Sequence, residues 1–414
     1  MLRRLAFVIA LAALLAACGQ SQGASSSSAI VLGAIYPLSG PQAQGGKEEL
    51  AGVKTALQLA DPARPVQLKI VDATTPEAAN AAVDRLVTQD HVPAILGTYG
   101  STLSAAASAR ADQLKTVYWE TGAVADPITA QRSYVFRTVA TGSSLGRMAV
   151  NFTHEVLVPE SGLKSPRVAI VEVDDIYGHS VGGGEAQLAK QLGLDVVDVI
   201  DYNPNAFDPD ALARRLAADR ADFLWDVSYL YDGVAIWQAI RREGVHMLAA
   251  VGTSSAFCMP DFGQKLGRDA IGVYAADKPD GDISPSALSP AGRALLARAQ
   301  AAYARANGGA AMSIPAVAGF VGAWTLIHDV LGKMSGAITP DAIRAAAYAV
   351  DVPTGDEING GGMKFAPAGS LDEGQNTRAA AVVGQWQGVM NMQIVWPPAF
   401  ATASPLPLSG RGPG

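Results

Sequence analysis

The sequence predicts an α/β protein built as two doubly wound parallel-sheet lobes. Three observations carry that prediction. Short apolar runs alternate with amphipathic stretches of roughly ten to fifteen residues, the pattern of βαβ units with right-handed crossovers. The alternation breaks around 138–166 and then restarts. The chain has 414 residues, 49% of them apolar, which is enough for two cores.

The first series opens with an apolar run at 30–36, closed by the breaker cluster Pro37-Leu38-Ser39-Gly40-Pro41. Residues 47–60 then place Leu50, Val53, Ala56, Leu57 and Ala60 at helical spacing. A strand is expected at 66–71. Pro76 stands where a first helical turn tolerates proline, and Ala79, Val83, Leu86 and Val87 form that helix's apolar stripe. Strands at 94–96, 116–119 and 135–137 follow, with a helix at 102–114. The second series reads as strands at 167–173, 195–200, 223–227 and 246–251, with helices at 178–192, 209–218 and 232–243. Asp208 is placed to cap the second of these helices. Helices at 290–307, 314–334 and 340–349 come next, then a loop-rich stretch at 352–376. Strands at 379–385 and 392–395 make a terminal hairpin. Residues 397–414 are rich in Pro, Gly and Ser and are expected to be disordered.

Ahead of the first series, Arg3 and Arg4 precede an apolar stretch of 13 residues, which Leu15-Ala16-Ala17-Cys18 brings to an end. The stretch is too short to span a bilayer as a mature helix but suits a signal peptide. Its ending resembles a bacterial lipobox. That resemblance implies cleavage before Cys18 and lipid on the cysteine's sulfur and new amino group. Residues 1–17 are then the signal peptide. Residues 18–29, small and polar, are a flexible tether reaching about 20 Å. No later stretch approaches 18 uninterrupted apolar residues, so no transmembrane helix is expected. A formal charge of −7 argues against nucleic-acid binding and against adhesion to anionic lipid. With Cys18 lipidated, Cys258 stands alone and reads as a small buried hydrophobe beside Phe257 and Met259.

In open parallel sheets, ligands sit beyond the carboxyl ends of the strands. The first lobe offers Tyr36, the run Gly97 to Thr102, and Glu120-Thr121-Gly122-Ala123-Val124 at those ends. The second offers Asp174-Asp175-Ile176-Tyr177-Gly178, Ser228-Tyr229-Leu230-Tyr231 and Gly252-Thr253-Ser254-Ser255. Gly100-Ser101-Thr102 opens a helix, so free N–H groups and hydroxyls face any anion there, or Ser101 or Thr102 caps its own helix. The aromatic residues at these ends, Tyr99, Tyr177 and Tyr229 among them, suit a cleft that encloses a small organic ligand. Enzyme readings find little support. There is no H-E-x-x-H or C-x-x-C. His91, His154, His179, His246 and His328 lack metal spacing. Gly178-His179-Ser180-Val181-Gly182-Gly183-Gly184 lacks the order of a phosphate cradle. Asp174-Asp175 reads either as a cation ligand or as a solvated turn. Neither catalysis, a resident metal nor a cofactor is expected.

These residues together resemble the leucine/isoleucine/valine-type periplasmic binding proteins of ABC importers. The marks are Ile35 to Pro41, Gly97 to Thr102, Asp126-Pro127-Ile128-Thr129, Tyr177-Gly178 and Gly362-Met363-Lys364-Phe365. The resemblance implies a type I clamshell whose chain crosses between lobes three times. The lobes are then 30–138 plus 279–370 and 139–278 plus 371–396, followed by the tail at 397–414. By the same resemblance Ser101 holds a ligand carboxylate, with Thr102 and Tyr99 beside it. Gly122, Ala123 and Val124 face the ligand's head group, Val124 lacking the hydroxyl that members carry there. Tyr229 reaches the carboxylate, and Tyr177 closes on the ligand. Ser254 stands where amino-acid-binding members have an acidic partner for the ammonium. Glu120 then either substitutes for that partner or makes a structural salt bridge. The expected function is a lipid-anchored, monomeric solute-binding protein on the periplasmic side. It captures an amino acid or, in preference, a related or aromatic carboxylate by hinge closure. It then delivers the ligand to an ABC permease and its ATPase. The alternative is a sensor or cell-wall-enzyme regulator of the same fold.

Overall fold

A computed structural model of the chain describes residues 29–408, apart from 61 and 63. The expected signal peptide, Cys18 and nearly all of the tether lie outside the described residues.

Five parallel strands form the first sheet, in the order β2-β1-β3-β4-β5. They are β1 (Ile30–Tyr36), β2 (Val66–Asp72), β3 (Ala94–Gly97), β4 (Val117–Glu120) and β5 (Val135–Arg137). The helices between them are α1 (Ala43–Ala60), α2 (Pro76–Thr88) and α3 (Ser101–Gln113). α2 starts where Thr75 accepts the Ala78 amide, with Pro76 in the first turn. Buried β1, β3 and β4 read as continuous apolar runs, as a sheet covered on both faces requires.

After β5 the chain runs into α4 (Gly142–Phe152), which continues through a π turn to Ser161. The sequence reading leaves this stretch blank. Gly142, Ser143, Ser144 and Gly146 are poor helix formers. Burial of Leu145, Ala149, Val150 and Phe152 outweighs that preference. The second sheet then has the order β7-β6-β8-β9-β10-β11-β12. Its strands are β6 (Arg167–Val173), β7 (Asp195–Tyr202), β8 (Phe223–Val227), β9 (Ala249–Thr253), β10 (Tyr274–Asp277), β11 (Val382–Gly388) and β12 (Asn391–Trp396). β6 to β10 are parallel, and the β11–β12 hairpin joins antiparallel. β10 is absent from the sequence reading: four residues, two of them alanine, carry no alternation. The helices here are α5 (Ile176–Leu192), α6 (Pro209–Asp219), α7 (Leu230–Arg242) and α8 (Pro260–Leu266). Asp208 caps α6 as expected, accepting the amides of Asp210 and Ala211.

The glycines that open α5 serve packing. A Cβ at Gly178 would strike the Val173 carbonyl, at Gly182 the Glu172 carboxylate and at Gly184 the Ser143 carbonyl. They let α5 lie directly on β6 and α4.

Three further helices follow β10: α9 (Pro290–Ala306), α10 (Ile314–Trp324) and α11 (Pro340–Tyr348). α10 packs along α1, and its residues join the first sheet's core. Together with its π and 3-10 extension it makes a helix, Ile314–Lys333, long and apolar enough to cross a membrane. The most apolar part of it is 89% buried, so it is read as a core helix. Arg137 pins the chain where it leaves the first sheet. Its buried guanidinium donates to the carbonyls of Val124 and Ala125 at 2.9 and 2.5 Å and to Gln375 Oε1 at 2.6 Å.

The expected disorder of 397–414 is corrected for 397–408. Leu406 donates its amide to Gln385, Leu408 donates to Glu160, and the Leu408 side chain packs on the second lobe's core. Composition misled here because the stretch orders by docking on β11, β12 and the end of the α4 segment.

Candidate functional site

The two sheets face each other through their strand ends, and the lobes touch. The Gln44 amide meets the Asp261 carboxylate. The Asp126 amide donates to Ser180 Oγ at 3.1 Å. Tyr99 bridges the cleft from the end of β3. Its ring lies over Gly45 of α1, where a Cβ would collide with it. Its hydroxyl is hydrogen-bonded to Ser255 after β9, and burial holds the phenol well above its usual range. Between the lobes a cavity of about 10 Å³ remains, room for about one water.

That cavity is lined by Glu49, Tyr99, Gly122, Ser254, Ser255, Cys258, Asp277 and Lys278, with Ile314, Pro315 and Ala318 of α10 as its apolar wall. Of the residues expected from sequence, Tyr99, Gly122 and Ser254 meet there. Gly122 is required by space, because a Cβ would strike the Glu49 carboxylate.

The other expected residues do structural work around the cavity. Ser101 is buried at the start of α3, and its Oγ accepts the Ala125 amide at 3.1 Å. Thr102 is exposed and reaches Asp175 Oδ2 of the other lobe at 3.5 Å. Tyr229 donates to the same oxygen at 2.8 Å. Tyr177 is buried with its hydroxyl donating to the Thr253 carbonyl, and its ring lies 5.2 Å from that of Tyr229. The Val124 carbonyl accepts from Arg137 and from the Gly142 amide. The Ala123 amide is used by Glu120.

Glu120 is the main correction. It is fully buried, and Oε1 accepts the amides of Gly122 and Ala123, each at 2.7 Å. Oε2 accepts from Ser104 and from the Thr98 amide at 3.2 Å. Burial pushes its carboxyl up to about 7, against the pull of these donors and of Arg137 nearby. With both oxygens engaged, Glu120 shapes the loop and has none left for a ligand's ammonium. It makes no salt bridge among the described residues.

Sequence reasoning missed Glu49, Asp277 and Lys278. Glu49 comes from α1 and is fully buried. One oxygen accepts from Thr121 at 2.5 Å, and the other has no hydrogen-bond partner. Burial, then the charge of Glu120, pushes it up to about 8, while Thr121 and Lys278 pull it down. Its signal was legible: Glu49 lies four residues before Val53, on the apolar stripe of α1. Lys278 follows the missed strand β10. Its Nζ lies 3.0 Å from Asp277 Oδ1 and donates to Ser254 Oγ at 3.3 Å. Burial is the largest influence and acts against its charge, but Asp277, Cys258 and Glu49 together outweigh it and the ammonium is held above its ordinary value. The second Asp277 oxygen has no hydrogen-bond partner.

A family model described as periplasmic binding protein matches residues 29–388. The chain belongs to the periplasmic binding proteins. It is 31% identical over 367 residues to "Leu/Ile/Val-binding protein homolog 8" of Brucella abortus (strain 2308), covering 86% of this chain and 88% of the relative. A branched-chain amino acid transporter substrate-binding protein from Streptococcus pneumoniae, solved with isoleucine, matches with TM-score 0.72 at 19% identity, over 89% of this chain and 100% of that one. A solute-binding protein of an ABC transporter from R. palustris, solved with benzoate, matches with TM-score 0.73 at 16% identity, over 91% and 98%. These likenesses fix a type I fold of two α/β lobes. As a periplasmic binding protein, the chain is a solute-binding protein that works outside the cytoplasm.

Proposed function

We propose that this periplasmic binding protein is lipid-anchored through Cys18, captures a small zwitterion of the amino-acid type by hinge closure, and passes it to an ABC permease. The observation that carries the ligand class is Glu49. Its unpartnered oxygen lies in the cleft cavity, where the sequence reading offered only Glu120 to meet an ammonium. A buried carboxylate without a partner is costly, and a ligand ammonium relieves that cost. Lys278 and the phenol of Tyr99 supply donors for a carboxylate on the same ligand. A zwitterion is therefore favoured over a carboxylate without an ammonium. A cavity of about 10 Å³ holds no amino acid, so the lobes must part to admit one.

The pH dependence of binding tests this reading. Glu49 sits at about 8 in the ligand-free protein and must ionise to hold an ammonium. Affinity for a zwitterion therefore rises with pH between about 6 and 8, and a proton is released on binding. A ligand with a carboxylate alone prefers protonated Glu49, so its affinity falls over the same range. Calorimetry with a panel of amino acids and aromatic acids reads the sign. Glu49→Gln should weaken a zwitterion about 10- to 100-fold, the loss of one hydrogen bond to a charged group, and flatten the profile. Binding of aromatic acids alone, unaffected by Glu49→Gln, would overturn the assignment.

A further inference from the structure

A second cluster lies on the second lobe, away from the cleft cavity. Register pairs Glu172 of β6 with Asp201 of β7. Asp174 follows β6, and His179 stands in the first turns of α5. Glu172, His179 and Asp201 each offer one ligand atom, and those atoms lie within 4.8 Å of one another. His179 Nε2 is 3.3 Å from Asp174 Oδ1 and 3.7 Å from Asp201 Oδ1. Four ligands about 2.0–2.2 Å from a tetrahedral ion stand about 3.3–3.6 Å apart, so a set within 4.8 Å needs only a small closure around an ion.

Glu172 is the independent sign of a missing partner. The residue is only 6% exposed, its carboxylate faces that of Asp201, and Oε2 has no hydrogen-bond partner. That oxygen lies against Gly182 of α5, the helix that also carries His179. Two facing carboxylates need a shared proton or a cation. The imidazole and the two aspartates are half exposed, which leaves the cluster open to ions from solvent.

We propose that Glu172, His179 and Asp201, with Asp174 in reach, bind a divalent transition-metal ion of the zinc class. One imidazole among carboxylates favours zinc over calcium or magnesium, which take oxygen ligands. The site ties β6 and β7 to the start of α5. That same helix start carries Asp175 and Ser180, whose side chains reach across to the first lobe.

Equilibrium dialysis against Zn²⁺ alone, followed by metal analysis, tests the site on the full chain, with Ca²⁺ and Mg²⁺ as comparators. The wild type should bind one Zn²⁺ more than Glu172→Gln or His179→Ala, or bind that ion at least about tenfold more tightly. Zn²⁺ should also raise the wild type's melting temperature more than that of either variant. His179 is exposed, so its variant tests the site even where Glu172→Gln disturbs folding. Equal zinc binding by wild type and His179→Ala would overturn the proposal, as would calcium bound as tightly as zinc.

Discussion

Ser101 shows how a residue type admits two roles that geometry separates. A serine at the start of α3 suits a ligand carboxylate, and the family resemblance places one there. In the fold its Oγ is buried and holds the Ala125 amide. Ser101→Ala removes that hydrogen bond and strands a buried N–H, at a cost of about 1–3 kcal/mol in stability. Chemical denaturation of the ligand-free variant should show that loss. If the hydroxyl proton also reaches the ligand, affinity falls as well, and calorimetry separates the two effects. Stability like that of the wild type would mean that the Ala125 contact is worth nothing. Glu120 teaches the same lesson more strongly. From sequence it was an acid at a strand edge, free to meet a ligand. Four donors, one from α3 and three from the loops around it, take up both of its oxygens.

At the scale of the element, α5 links local capping to contact between the lobes. Asp175 caps it, with Oδ1 accepting the amides of Tyr177 and Gly178 at 2.8 and 3.0 Å. Its other oxygen accepts from Tyr229 on the same lobe and from Thr102 on the opposite one. Asp175→Ala should cost about 1 kcal/mol for the cap and more for the stranded Tyr229 hydroxyl. In a double-mutant cycle with Tyr229→Phe, the coupling measured by urea unfolding should be about 0.5–3 kcal/mol. Strict additivity would show that the Tyr229 contact contributes nothing. Elements with strong periodicity or a clear cap were legible in the sequence: β1, β6, β8, α2 and the Asp208 cap of α6 fall where the pattern puts them. β10 and α4 were not. β10 is too short to alternate, and α4 forms against its own propensity because tertiary packing buries one face. The site suffered accordingly, since Lys278 can be placed only once β10 is known. Glu49 can be placed in the cavity only once Tyr99, Gly122 and the Asp277-Lys278 turn are known to meet it there.

At the scale of the whole molecule, the lobes bury acids without matching bases. Glu49, Asp226 and Glu357 are all pushed up to about 8, and Glu120 to about 7, with burial the first cause in each. A carboxyl raised in the folded state binds more protons there than in the unfolded chain, whose carboxyls titrate near 4. Between those limits stability therefore falls as pH rises. The acids held low by hydrogen bonds, Asp72 and Asp351 among them, act only below that window, where acid removes their contribution. The melting temperature of the ligand-free protein should thus decline from about pH 5 to about pH 8. Asp226 isolates one term. It is buried in β8, Ser228 donates to one oxygen, and the other has no hydrogen-bond partner. Asp226→Asn keeps the side chain's volume and removes its titration. The slope of stability against pH should then lessen by at most about 1.4 kcal/mol per pH unit, one proton's worth. A slope identical to the wild type's would show that Asp226 ionises in the folded protein near its ordinary range, and would remove burial as the source of the decline.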